Sequence, residues 1–156
     1  MFGNLERLIK TRMKNRNKKI ITITTILSIL GLIDAIYLAL IKFLAKPEMC
    51  LEGVGDCWSV NTSPYSTIYG IPVSIFGAMA YIVLIAIMIF ELKNQKYQDI
   101  LIKLAFGITT AGFLFSLYLT YLELFVIHAI CPFCVVSALL MTTLFIIYIF
   151  RLRETL

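Results

Sequence analysis

The chain has 156 residues, of which 60% are hydrophobic and only 15% charged, and its mean hydropathy is +0.92. That balance excludes an ordinary soluble domain and describes one compact bundle of membrane helices. The net charge of +5 is not a nucleic-acid signature, because all but Lys42 and Lys46 of the 14 Lys and Arg residues sit in an N-terminal arm, a mid-chain connection and the C-terminus. With four spans those places share one membrane face, and the positive-inside rule makes it cytoplasmic.

Residues 1–19 form a basic cytoplasmic arm, with Leu5, Leu8 and Ile9 spaced for a short helix on the membrane surface. The first expected span covers 20–44, longer than the ~20 residues that cross a bilayer, so it tilts or protrudes. Asp34 lies inside it. A carboxylate at membrane depth is costly, and serves either proton handling or an interhelical hydrogen bond. The extracytoplasmic loop, 45–70, carries Cys50 and Cys57, with Gly53 and Gly55 between them allowing the backbone to turn. Such a pair is either a static staple or a redox shuttle. Trp58, Tyr65 and Tyr69 suit the membrane interface.

The second span is expected over 71–92, with Pro72 at its start. Gly77 permits either close helix contact or room for a flat ligand ring. A short cytoplasmic connection with Lys93 and Lys96 leads to the third span, 100–122, where Gly112 and Ser116 make a small-residue face. An outer connection runs from Glu123 to Ile130. The fourth span, 130–150, then begins at a CxxC pair, and 151–156 is a cytoplasmic tail holding Arg151 and Arg153.

All four cysteines fall on the non-cytoplasmic side, where disulfides persist. Cys131 sits at a helix start, whose exposed N–H groups and dipole stabilise a thiolate, the species that attacks in thiol–disulfide exchange. Pro132 is tolerated there because its missing donor has no intrahelical partner. Val135, rather than histidine, follows Cys134, which excludes attached c-type haem. The separation of Cys50 from Cys57 is wider than zinc sites use, and no metal is expected. His128, the single histidine, is accompanied by no nucleophile elbow, and serves proton transfer at Cys131 or interfacial hydrogen bonding. What remains is dithiol exchange coupled to an oxidising, lipid-soluble acceptor, and a quinone meets both needs. Flavin or metal chemistry would require motifs that are absent.

The ordered set of Tyr37-Leu38, Cys50 and Cys57, Ser63, Gly70-Ile71-Pro72, Ser74-Ile75-Phe76-Gly77 and Cys131-Pro132-Phe133-Cys134 resembles the vitamin K epoxide reductase family, especially its prokaryotic quinone-reducing members, across 20–150. The resemblance implies an all-α, four-transmembrane-helix bundle around a quinone of the ubiquinone, menaquinone or vitamin K type, with both termini cytoplasmic. Cys50 would meet a thioredoxin-like partner, Cys57 would exchange with Cys131, and Cys134 would reduce the quinone. Ser63 would assist by hydrogen bonding, while Val73, Phe76 and Gly77 would line the quinone pocket with Cys134. The bacterial disulfide-bond B proteins share this chemistry but carry the CxxC and the separated pair in the reverse order. Many bacterial members fuse a thioredoxin-like domain after an extra span; this chain ends at Leu156, so a separate partner is expected.

The expected function is therefore a membrane thiol–disulfide oxidoreductase that drives disulfide formation, in a prokaryotic cytoplasmic membrane with its active site outside. Two alternatives stand beside it. One is reduction of vitamin K quinone or its epoxide, although vertebrate members carry asparagine and tyrosine where this chain has Val73 and Ala138. The other is a non-catalytic scaffold with two structural disulfides.

Overall fold

The computed structural model describes residues 2–44 and 56–155, with the side chains of 2–14 and Gln95 outside the description. Cys50, and with it the expected Cys50–Cys57 pairing, lies outside the described residues. Helix α1 spans Phe2–Leu44, α2 Cys57–Thr62, α3 Val73–Lys93, α4 Gln98–Leu122 and α5 Pro132–Thr155. Four stretches are long and apolar enough to cross a membrane: Asn15–Leu44, Val73–Lys93, Gln98–Ile127 and Pro132–Thr155. In hydrocarbon every backbone N–H and C=O needs an internal partner, so apolar runs of this length take the helix as their stable form.

The basic arm is continuous with the first span rather than a separate surface helix. Between Asn4 and Leu30 there is neither glycine nor proline, so nothing interrupts the hydrogen-bond ladder. The loop after α2 forms a 3-10 turn, Pro64–Ser66, and a two-residue antiparallel pair, β1 (Thr67–Ile68) with β2 (Ile71–Pro72). Tyr69 and Gly70 both have positive φ, 52° and 81°, which gives the hairpin the turn handedness that matches strand twist.

The third membrane helix also outruns its expected end. A π-helical turn, Glu123–Ile127, extends α4 and closes when the Ala129 N–H donates to the Glu123 carbonyl at 3.1 Å. His128, in the left-handed region at φ 54°, stops it. A charged residue suggests the end of an apolar run, but Glu123 is buried and hydrogen-bonded.

Helix α1 packs against α3 and α5, and α4 against α5 and α3. The main core joins Ile21 and Ala35 of α1, Tyr81 and Leu84 of α3, Ile102 of α4, and Leu144 and Tyr148 of α5. Contact between membrane helices depends on close packing. At Gly31 a Cβ would overlap the Tyr81 ring, and at Gly112 it would lie 2.8 Å from the Met141 sulfur.

Helix α5 continues through the residues expected as a tail, and Arg151 is buried in an ion pair with Glu91 of α3. Arg16 meets Glu154 at 3.0 Å. These two pairs bring the basic segment of α1, the C-terminal end of α3 and the C-terminal end of α5 to one end of the bundle. Cys57, Cys131 and Cys134 gather at the other, in or against a second apolar cluster of Leu38, Ile41, Cys57, Val60 and Cys131.

Candidate active site

Helix α2 brings Cys57 to the bundle. Asp56 caps it, its carboxylate accepting the Ser59 N–H at 3.0 Å, while the Asp56 N–H donates to the Ile130 carbonyl at 3.1 Å. The second bond ties the loop helix to the residue just before Cys131. Asn61, buried, donates from Nδ2 to the Leu38 carbonyl at 3.0 Å. Lys42 Nζ donates to the Asn61 carbonyl at 2.9 Å and also to Ser66 Oγ. Two of these contacts dock α2 on α1 and the third holds the 3-10 turn that follows it, because backbone carbonyls need donors at a water-poor surface. Ser63 Oγ donates to the Val60 carbonyl at 2.8 Å, bonding the end of α2.

The cap gives a pH-dependent prediction. Hydrogen bonds from Ser59 hold the Asp56 carboxyl below its usual range. Its contribution to holding α2 is fully present above the ordinary carboxylate pKa and is lost as pH falls through the lowered folded value. Amide hydrogen exchange at Ser59 and Val60 should therefore stay protected in the unaltered chain through ~pH 4 and lose protection only below it. Asp56→Ala should cut that protection roughly fivefold at neutral pH. Equal protection in both chains would show that packing alone holds α2.

Cys57 is 1% exposed and Cys131 fully buried, while Cys134 is partly buried one turn into α5. Cys131 lies between the other two: the side chains of Cys134 and Cys57 both hydrogen-bond to it. Those bonds, with the backbone N–H groups of Cys134 and Phe133, hold the Cys131 thiol below the usual cysteine range. The helix start expected from the sequence supplies the backbone share, and the neighbouring thiols supply the larger one. Cys131 and Cys134 are both thiols here.

Two carboxylates border the pair. Asp34 of α1 acts electrostatically on Cys131, and its Oδ2 has no hydrogen-bond donor among the described residues. Glu123, 5% exposed, accepts the Cys131 N–H at 3.3 Å through Oε2 and shares a side-chain hydrogen bond with Cys134.

Cys134, and not Cys131, opens onto a cavity of about 550 Å³ among α1, α3, α4, α5 and the loop. Its volume is typical of small-molecule sites, roughly 300–1,000 Å³. The wall includes Val73, Phe76, Gly77 and Ser63, so these residues and Cys134 border one space. A Cβ at Gly77 would meet only Ala35, at 3.9 Å, so this glycine leaves room more than it brings helices together. Ser74 Oγ, also on the wall, is buried with no hydrogen-bond partner among the described residues. A mostly apolar space with an unpaired hydroxyl beside a reactive sulfur fits a flat, carbonyl-bearing ring such as a quinone. Among the described residues no group of three or more His, Cys, Asp or Glu is placed to hold a metal.

Sequence reasoning missed Glu123, Asn61 and Lys42. A signal existed for Glu123, the only acidic residue between Asp99 and Glu154, on the flank of an apolar run. Asn61 and Lys42 carried none, since their partners are backbone carbonyls distant in sequence.

Comparison with known proteins agrees with this architecture. The chain is 30% identical over 123 residues to the thiol-disulfide oxidoreductase LTO1 of Arabidopsis thaliana, a match covering 73% of this chain and 32% of that protein. The chain thus aligns with about a third of the length of that relative. The model of the vitamin K epoxide reductase family matches residues 22–149, which takes in all four spanning helices and all four cysteines, and the chain belongs to that family.

Proposed function

We propose that the protein is a membrane thiol–disulfide oxidoreductase that takes electrons from a thioredoxin-like partner through Cys50 and Cys57, passes them to Cys131 and Cys134, and delivers them to a quinone. The observation that carries this reading is the order Cys57, Cys131, Cys134, cavity: each group touches the next, and of these three cysteines only the last borders the cavity. Family membership and the likeness to a thiol-disulfide oxidoreductase support it. The basic segments gathered at the opposite end of the bundle support an active site on the extracytoplasmic face.

In this reading the oxidised protein holds a Cys131–Cys134 disulfide. The Cys57 thiolate attacks Cys131, forming a Cys57–Cys131 bond as Cys134 leaves as a thiolate. Cys50 then attacks Cys57, restoring the loop disulfide and leaving Cys131 and Cys134 reduced. A quinone bound in the cavity supplies an acceptor for two electrons and two protons. Cys134 reaches that space, Phe76 and Val73 would pack on a ring, and the Ser74 hydroxyl is placed to donate to a carbonyl. The bundle keeps bulk water from Cys131, so its exchange is confined to the two neighbouring sulfurs. Positions 73 and 138 are both apolar and both on the wall. They offer no donor for an epoxide oxygen, which favours quinone over epoxide reduction.

The test is quinone reduction in liposomes containing the purified protein and a reduced thioredoxin-like donor, with ubiquinone and menaquinone tried separately. One quinone reduced per donor dithiol oxidised is the expected result. Inertness toward both quinones, with disulfides that resist mild reductants, would favour the scaffold.

A further inference from the structure

We propose that Glu123 is the proton carrier of the Cys131–Cys134 pair, taking the proton that Cys134 gives up when the disulfide forms. This rests on the dithiol reading of the site. Among the described residues Glu123 is the only carboxyl on the cavity wall, and it bonds to both halves of the CxxC. The bond from the Cys131 N–H is what a helix cap would make, and one carboxylate oxygen suffices for it. The contact with Cys134 has no place in a cap. It touches a hydrogen that must leave for the sulfur to react.

The local structure aims it there. An α-helix ending at Leu122 would leave the next residue free to turn outward. The π turn instead carries Glu123 on toward the start of α5, where its carboxyl is 5% exposed. The sequence around it has no other acidic residue, and the turn closes on Glu123's own carbonyl. Among the described residues, the other titratable groups acting on the pair are Asp34 of α1 and Cys57 of α2, both directed at Cys131. Tyr81 of α3 also borders the cavity, with its hydroxyl directed at the Ser137 carbonyl at 3.3 Å. Among the described carboxylates, Glu123 alone is bonded to Cys134.

The step balances as follows. Cys131 enters as a thiolate and Cys134 as a thiol. The Cys134 S–H bond breaks, its proton moves to a Glu123 oxygen, one S–S bond forms, and two electrons leave for the oxidant. Oxidation also removes the thiol donor from Glu123, leaving the Cys131 N–H as its sole partner. A buried carboxylate short of donors is costly, and keeping the proton neutralises it. With a quinone as oxidant, the retained proton lies beside the cavity where reduced oxygens need it.

The experiment counts protons without a quinone. Fully reduced protein in weakly buffered detergent solution is oxidised with ferricyanide, which accepts electrons and no protons, and release is read with a pH indicator. The loop dithiol contributes equally to both chains compared. Glu123→Gln should release about one proton more per molecule than the unaltered chain, and quinone-linked turnover should fall at least ~10-fold. Glu123→Asp, which keeps a carboxyl on the same turn, should fall between the two chains in both readouts, and it guards against a folding defect in the glutamine variant. Equal proton release from all three chains overturns the proposal, whatever happens to turnover, and leaves Glu123 as a cap. A difference in release with no turnover on any quinone would keep Glu123 as the carrier and reject the quinone.

Discussion

Cys134→Ser is expected to abolish quinone reduction, by roughly three orders of magnitude or more, and to accumulate a Cys57–Cys131 disulfide. The two outcomes share one geometric cause. Cys131 is fully buried between Cys57 and Cys134, and of the described cysteines only Cys134 borders the cavity. Removing Cys134 takes away the sulfur that reaches an acceptor. It also removes the sulfur that would carry the Cys57–Cys131 bond on to Cys134, so a bridge formed when Cys131 attacks the loop disulfide can be reopened only by the return of Cys50. Cys131 keeps its Cys57 and backbone donors, and remains a ready partner for exchange. Non-reducing peptide mapping reads the bridge, and quinone absorbance reads the turnover. Turnover that survives the substitution would move the acceptor contact to Cys131 and contradict the cavity's placement.

The second large effect concerns stability at the opposite end of the bundle. Arg151→Met should destabilise the protein by about 3–5 kcal/mol, because it leaves the Glu91 carboxylate buried and unpaired. The pair is 3% and 2% exposed. Arg151 Nη1 donates to Glu91 Oε2 at 3.1 Å, a second bond joins Nη2 and Oε1, and the guanidinium lies 5.6 Å from the Tyr148 ring centroid. The double variant Glu91→Met, Arg151→Met should recover most of the loss, since two apolar side chains leave no charge to desolvate. Equilibrium unfolding in mixed micelles measures both. A single variant as stable as the unaltered chain would mean that water reaches Glu91 and that the pair is not sealed.

The sequence by itself determined the parts that depend on local chemistry. Sustained apolar runs must become helices in hydrocarbon, so Ile20, Val73, Ile100 and Pro132 each stand within or at the start of a helix. The CxxC at a helix start supplied the backbone share of the lowered Cys131 pKa, because free N–H groups at a helix terminus act on whatever residue stands there, while the larger share comes from the side chains of Cys134 and Cys57. The ordered cysteines and the Ser74-to-Gly77 run pointed to the family.

Tertiary structure decided what depends on partners distant in the chain. Arg151 looked like a topogenic surface charge, and became a core residue only because α3 presents Glu91 to it. Glu123 looked like the first loop residue after an apolar helix, but the extra turn and the folding back of α5 supply donors that let it stay buried. Asn61 and Lys42 drew no attention in a polar loop and at a helix end, and they anchor α2 through carbonyls 23 and 19 residues away. The cavity is the clearest case. Its wall takes residues from four spanning helices and the loop. Hydropathy marks which residues enter the membrane, while only the packing of the helices leaves a space and decides which cysteine opens onto it.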